Sequence, residues 1–291
     1  MIKIKHIIIA AIVSVVMYSC SDNANVPIIF DHEGQAVIDQ TLLDDYFKNH
    51  YFDTSLDSVK LIIDGGLSLY DDPNLKSKDV VQDDINYKVY YYIVQEGTPF
   101  PVKGNPTIMD SVLTTYKGKY IESAKVEVHF ETQTKATWLN LTSTIGGWTH
   151  TFPYFKGGEN ITDNGPITYK NVGKGVIFMP SGLGYRNSPT ATIPGSSPLL
   201  FYINLLDVKE NVDHDGDGLA SILEIEDASI ESDPRKVDTD GDFVVNFLDV
   251  DDDNDGVLTI NEDTNGDGDP RNDFSDPNNP TLPDYLNPDI K

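Results

Sequence analysis

The sequence predicts an α+β fold followed by an acidic, loop-rich repeat tail. Three observations lead there. Between residues 85 and 210, short runs rich in β-branched and aromatic residues alternate with turn residues, which marks strands. One stretch among them, Trp148–Phe155, spaces its apolar residues by 4 and 3, which suits a short helix. The charge is also concentrated. Of the net −26, residues 210–291 carry 25 Asp/Glu against four Lys/Arg, a net of −21, leaving −5 for the other 209 residues. That balance argues against a nucleic-acid partner, which needs a basic face.

The N-terminal end is set apart from the fold. Lys3, Lys5 and His6 form a basic head, and Ile7–Met17 is an apolar run of eleven residues. A membrane span needs roughly 20, so the run fits the hydrophobic part of a secretory signal instead. It closes on Ser19-Cys20, and Cys20 is the only cysteine in the chain. A small residue before a lone Cys at this place resembles the bacterial lipoprotein signal, in which the Cys carries the lipid. Residues 1–19 then read as a signal peptide and 20–36 as a tether. A membrane anchor at Cys20 implies a cell-envelope lipoprotein, periplasmic or outer-membrane associated. One cysteine allows no internal disulfide, so stability must come from a core or from metals. Residues 37–84 read as an N-terminal helical extension, because Val37–Phe52 places apolar residues at 37, 38, 42, 43, 46 and 47.

The strands of the 85–210 domain follow in order. Tyr87–Gln95 is aromatic and β-branched, bounded by Asp/Asn before it and Glu-Gly-Thr-Pro after it. Val112–Tyr116, Val126–Phe130 and Thr137–Leu141 are short runs of the same kind. Pro153 limits the helix at Trp148–Phe155. Gly173-Lys174-Gly175 then turns the chain into Val176–Met179, and Leu199–Val208 is a last apolar strand. The segment 178–208 contains no Cys, no His and no Gly-x-Ser-x-Gly elbow, so a nucleophile is not to be sought there.

The tail, residues 211–291, has a pattern beyond its acidity. Asp213, Asp215, Asp217, Leu219 and Glu224 fall at positions 1, 3, 5, 7 and 12 of an EF-hand-type loop, with Gly218 at position 6. There, carboxylates, one carbonyl and a bidentate Glu surround a hard cation. Asp251, Asp253, Asp255, Val257 and Glu262 repeat it in full. Asp238, Asp240, Asp242 and Asp249 form a third loop in which Phe243 replaces the turn glycine. Asp263, Asn265, Asp267 and Asp269 begin a fourth, which reaches Phe274 where the closing Glu should be. The two complete loops are expected to bind Ca2+ best. Loops that follow one another with almost no helix between them resemble thrombospondin type 3 repeats, which implies calcium in place of a hydrophobic core.

Further residues carry a second resemblance. Tyr116-Xaa-Gly118, Ile145-Gly-Gly-Trp148, Pro180-Ser181-Xaa-Xaa-Xaa-Tyr185, Ile193-Pro194 and Leu200-Phe201 occur in that order across residues 85–208. This series resembles FKBP-type peptidyl-prolyl cis-trans isomerases. With the lipoprotein signal and N-terminal helix it is similar to the gliding-motility-associated immunophilin lipoproteins of Bacteroidetes. The resemblance implies a twisted antiparallel sheet wrapped around one short helix, catalysis without a cofactor, and proline-containing polypeptide clients. It makes Trp148 the floor of a prolyl pocket, and Tyr116, Phe130, Ile145 and Phe201 its walls, with Ile193 beside them. Trp138 would stand where a wall Phe is usual. Tyr185 would donate to the substrate carbonyl, helped by the Ile145 N–H. Glu131 stands where the family has Asp, and Arg186 where it has Gly. Those two departures leave an alternative function, a calcium-dependent scaffold lipoprotein that holds clients without useful turnover.

Overall fold

The computed structural model describes residues 30–225 and 234–291. The signal segment and Cys20 lie outside the described residues. Residues 32–291 cluster as one unit. The chain opens with helix α1 (His32–Asn49), followed by a hairpin of β1 (His50–Asp53) and β2 (Ser58–Leu61). The strands β3 (Leu75–Gln82), β4 (Ile85–Gln95), β5 (Ser111–Ser123), β6 (Val126–Asn140), β9 (Gly173–Met179) and β10 (Leu199–Lys209) form one antiparallel sheet, in the order β3-β4-β9-β10-β5-β6. A short helix α2 (Gly146–Thr151) and a two-residue ladder of β7 (Glu159–Asn160) and β8 (Tyr169–Lys170) fill the connection from β6 to β9. No helix among the described residues is long and apolar enough to cross a membrane.

Side chains alternate across a strand, so a doubly apolar strand serves two cores. Ile177 and Met179 of β9 join Trp148 and Phe152 of the α2 region on one face of the sheet. Val176 and Phe178 join Leu43, Tyr46 and Phe47 of α1 on the other. Burying each such side chain stabilises by roughly 1.5–3 kcal/mol, so both faces are covered at a gain. The expected α+β class holds: the unit is sheet-dominated with few helices.

Several element boundaries differ from expectation. The helix predicted over 37–52 starts at His32 and ends at Asn49, and Phe52 belongs to β1. Its apolar stripe is rotated as well. Val37 and Ile38 are exposed, and Asp39 is buried beside Leu43, Tyr46 and Phe47. The 37–84 extension is not wholly helical, because β3 is an edge strand of the main sheet. The two runs 126–130 and 137–141 fuse into the fifteen-residue β6, whose irregularities lie within the strand.

Beyond Lys209 the described residues contain no strand, only short 3-10 turns. The interior of the tail is polar. Asp217, Ser221, Glu224, Asp252, Thr259 and Glu262 are buried, with few large apolar side chains such as Phe247 and Tyr285. It meets the sheet domain where Ile225 and Phe247 pack on Met109, and where Asn140 lies 2.7 Å from His214.

Candidate functional site

The ring cluster is built by four elements and one glycine. Trp148 projects from α2, whose first turn is tied back by Trp148 N–H and Thr149 N–H donating to the Ile145 carbonyl. Tyr116 comes from β5 and Phe201 from β10. Their rings meet Trp148 edge-on at centroid distances of 4.9 and 5.0 Å. Phe130 stands edge-on to Phe201 at 5.7 Å. Edge-to-face pairs at such distances each add about 0.5–1.5 kcal/mol beyond burial. Gly118 makes the arrangement possible: a Cβ there would lie 2.4 Å from Phe130 and 2.8 Å from Phe201. Gly118 pairs with Glu131 and Lys119 with His129, so Phe130 is the extra residue of a β-bulge, a device that re-aims a side chain. Ile193 is buried in the same cluster and Ile145 packs against it. The Trp148 indole N–H is buried without a hydrogen-bond partner.

At the rim the polar groups gather. Tyr185 is partly exposed, just beyond the 3-10 turn Ser181–Leu183. Burial and the nearby charge of Glu131 raise its phenol. Burial, then Glu131, push Tyr116 up to about 12. The Ile145 N–H has no acceptor among the described residues. Arg186 holds φ +57° and ion-pairs with Asp83 in the β3–β4 turn, where Lys236 also approaches at 3.3 Å. The loop beyond is pinned by Ser196 N–H donating to the Arg186 carbonyl and Thr190 N–H to the Ile193 carbonyl.

One expected wall residue is elsewhere. Trp138 pairs in register with Leu113, whereas its neighbour Leu139 pairs with Val112 and packs on the ring cluster. Paired residues share a face, so Trp138 points to the opposite side of the sheet from Trp148 and is half exposed. A residue that sequence reasoning missed acts from a distance. The buried Asp39 carboxylate accepts from Ser181 N–H at 2.7 Å, from Ser181 Oγ and from Gln35 Nε2 at 2.7 Å. Helix α1 thereby holds the turn that carries Tyr185. A cleft of about 790 Å³ lies between α1, β3 and β4, away from the rings.

The tail loops share one backbone. Position 4 is left-handed in each (Gly216, Gly241, Asn254, Gly266), and so is position 6 (Gly218, Phe243, Gly256, Gly268). The first carboxylate of each loop accepts from the position-6 N–H: Asp213 from Gly218, Asp238 from Phe243, Asp251 from Gly256, Asp263 from Gly268. Phe243 therefore makes the turn despite its side chain, at φ +78°. Left-handed backbone in a non-glycine residue costs of order 1–3 kcal/mol.

The carboxylates of Asp213, Asp215 and Asp217 converge within 4.8 Å of one another, as do those of Asp238, Asp240 and Asp242, and of Asp251, Asp253 and Asp255. Leu219 and Val257 donate N–H to Asp217 and Asp255, and neither carbonyl accepts a hydrogen bond from the described residues. Glu262 is buried with both oxygens unpartnered. Burial and then the charges of Asp253, Asp255 and Asp251 push it up to about 8. Burial and the Asp215 charge likewise push Glu224 up to about 9. Oxygen-only donor sets with orphaned buried carboxylates fit a hard cation such as Ca2+.

The third loop's closing Asp249 is raised by burial and by Asp242 and Asp240. The fourth loop differs from expectation. Asp269 is held by the Arg271 guanidinium at 2.8 and 2.9 Å, and Asp267 accepts from Asn272. Its closing carboxylate is Asp273, not a residue at the position of Phe274. Asp273 follows the 3-10 turn Pro270–Asn272 as Asp249 and Glu262 follow theirs, and accepts from Asn265 N–H.

No family profile matches the chain, and no curated protein matches it. Solved structures are similar to it. One is a peptidyl-prolyl cis-trans isomerase from Pseudomonas syringae pv. tomato, at 17% identity and TM-score 0.38, covering 62% of this chain and 98% of that one. Another is FkpA from Escherichia coli, at 24% identity and TM-score 0.35, covering 48% of this chain and 53% of that one. A third is the N-terminal domain of FKBP42 from Arabidopsis thaliana, at 17% identity and TM-score 0.33, covering 48% of this chain and 98% of that one. Likenesses this remote carry no functional argument, which falls to the site itself.

Proposed function

We propose that the protein is an FKBP-type peptidyl-prolyl cis-trans isomerase acting on exported polypeptides, lipid-anchored through Cys20 and carrying a calcium-built tail. The observation that carries the isomerase reading is the ring cluster, in which Trp148 is flanked edge-on by Tyr116 and Phe201. Rotation about an X–Pro bond meets a barrier of about 18–20 kcal/mol and breaks no bond. The twisted amide has lost its conjugation and is less dipolar than the planar ground state. An apolar aromatic site with fixed donors at its edge favours the twisted form, and needs neither nucleophile nor metal. Trp148 would floor the prolyl ring, with Tyr116, Phe130, Ile193 and Phe201 around it. The Tyr185 hydroxyl and the Ile145 N–H would donate to the substrate carbonyl.

An X–Pro peptide assay tests this on the full chain. Catalysis above the thermal rate is expected, lost in Trp148→Ala. Tyr185→Phe should lower it roughly tenfold, the worth of one hydrogen bond of ~1.4 kcal/mol. A rate equal to the uncatalysed one would remove the enzyme. One observation favours a second reading, a scaffold that binds prolyl segments without turnover: Glu131 stands where the resembled family has Asp, and its charge raises both the Tyr116 and the Tyr185 phenols. Binding of the peptide without acceleration would select it. For the anchor, Cys20→Ser should release the protein from the membrane fraction.

A further inference from the structure

We propose that a cation site lies between loops, formed by Asp217, Glu224 and Asp252, in addition to the sites within the loops. The inference rests on the tail being a calcium binder. Asp252 occupies position 2 of its loop, which is not a ligand position in the EF-hand pattern. The other loops place neutral partners there. His214 contacts Ser221 at 2.9 Å, Thr239 accepts from Asn246, and Thr264 donates to Asp273. Asp252 instead carries a carboxylate that is 1% exposed, with neither oxygen hydrogen-bonded. Both Glu224 oxygens and Asp217 Oδ2 are likewise buried and unpartnered.

The three residues come from two loops that are not neighbours in sequence, yet their ligand atoms lie within 4.8 Å of one another. Oxygens around one Ca2+ at 2.3–2.6 Å span at most about 5 Å across the ion. Three buried carboxylates so placed must either take up protons or hold a compensating cation, because burying an unpaired charge costs several kcal/mol. Asp217 also stands in the cluster with Asp213 and Asp215, so it bridges the two sites. Two dications would then face the five carboxylates of both clusters, leaving one net negative charge. The inter-loop ion fastens the loop at 213–224 to the loop at 251–262.

Native mass spectrometry and limited proteolysis of the full chain, stripped by chelator and titrated with Ca2+ alone, test this. Asp252→Asn should bind one ion fewer than the parent. It should also invert in sign: more protease-resistant than the parent in chelator, because a repelling charge has gone, and less resistant in calcium. Asp252→Leu, which removes the amide's polarity too, should show the same inversion. A parent that binds calcium alongside an Asp252→Asn variant of equal stoichiometry would overturn the inter-loop site while leaving the loop sites standing. A parent that binds no calcium would overturn both.

Discussion

The sheet domain and the acidic tail solve the same problem with opposite materials. In the sheet domain, β9 and β10 bury Val176, Ile177, Phe178, Met179, Leu199, Leu200 and Phe201 almost completely. Its polar interior is sparse and mostly partnered, as Asp39 is by Ser181 and Gln35, with the Trp148 indole N–H and one Asp110 oxygen as exceptions. The tail buries carboxylates instead, and many of their oxygens lack partners. Its backbone is ordered by Asp side chains that cap nearby N–H groups, a local device that offsets little chain entropy. Apolar burial stabilises a fold by itself. Buried like charges stabilise nothing until a counter-ion or protons neutralise them, so under the proposed reading one chain joins a self-sufficient half to a conditional one.

The largest effect should come from removing calcium. Folding of a metal-built module is coupled to its ion, so if the tail is the calcium-built module proposed above, chelation should open residues 211–291 to protease while the sheet domain stays intact. Mass mapping of the fragments reads this directly. A tail equally protected in chelator would break the contrast, and would mean that contacts such as Phe247 on Met109 suffice.

Next in size is Phe178→Ala. Phe178 is fully buried and edge-on to Phe47 at 5.1 Å, and such a truncation costs about 3–5 kcal/mol. Denaturant unfolding followed by sheet-domain fluorescence should give the same loss with and without calcium. Asp251→Asn should do the reverse, lowering tail stability only when calcium is present. A calcium-dependent loss for Phe178→Ala would show that the two halves unfold together.

How much of this was legible in the sequence depends on the range of the interactions. The strands at 87–95, 176–179 and 199–208 were readable because apolarity and β-branching are local. The loop turns were readable because Asp and Gly recur at fixed offsets. The face of α1 was not, since Asp39 is buried by an interaction 142 residues away, and hydrophobic spacing ranks an Asp as outward. The side of Trp138 was not legible because β6 gains two residues on β5 between Thr114 and Tyr116 and one more at Phe130, and an odd number of extra residues reverses which side chains face the rings. Asp252 and Asp273 escaped because one serves a loop other than its own and the other closes its loop one position early. In the ring cluster the bulge at Phe130 left no sequence signal, whereas Gly118 did.

A smaller effect sharpens the contrast from the polar side of the sheet domain. Asp39→Ala would leave Ser181 N–H, Ser181 Oγ and Gln35 without their buried acceptor. Unpaired buried donors cost about 1–3 kcal/mol, so the unfolding free energy should fall by that amount. If the proposed isomerase activity is present, the turn carrying Tyr185 loosens and kcat/KM falls more than stability alone explains. Unchanged stability would show that Asp39 contributes nothing, and that the domain's buried polar groups are as conditional as the tail's.

The smallest expected effect is a pH dependence confined to the sheet domain. His50 is buried, stacks on Tyr46 at 3.8 Å, and has its Nδ1 at 2.9 Å from the Tyr46 carbonyl. Burial lowers its pKa from 6.5, partly opposed by the Tyr46 carbonyl and by Glu127, and reinforced by Lys119. A depressed folded value means the neutral ring is preferred in the native state. Its contribution is therefore present above the unfolded value of 6.5 and is lost as pH falls through the folded value. Acidification from pH 7 should lower the stability of the domain, and His50→Gln should flatten that part of the profile. Measuring both proteins in chelator removes the competition between protons and calcium at the proposed tail sites. A His50→Gln profile as steep as the parent's would move the acid sensitivity away from His50.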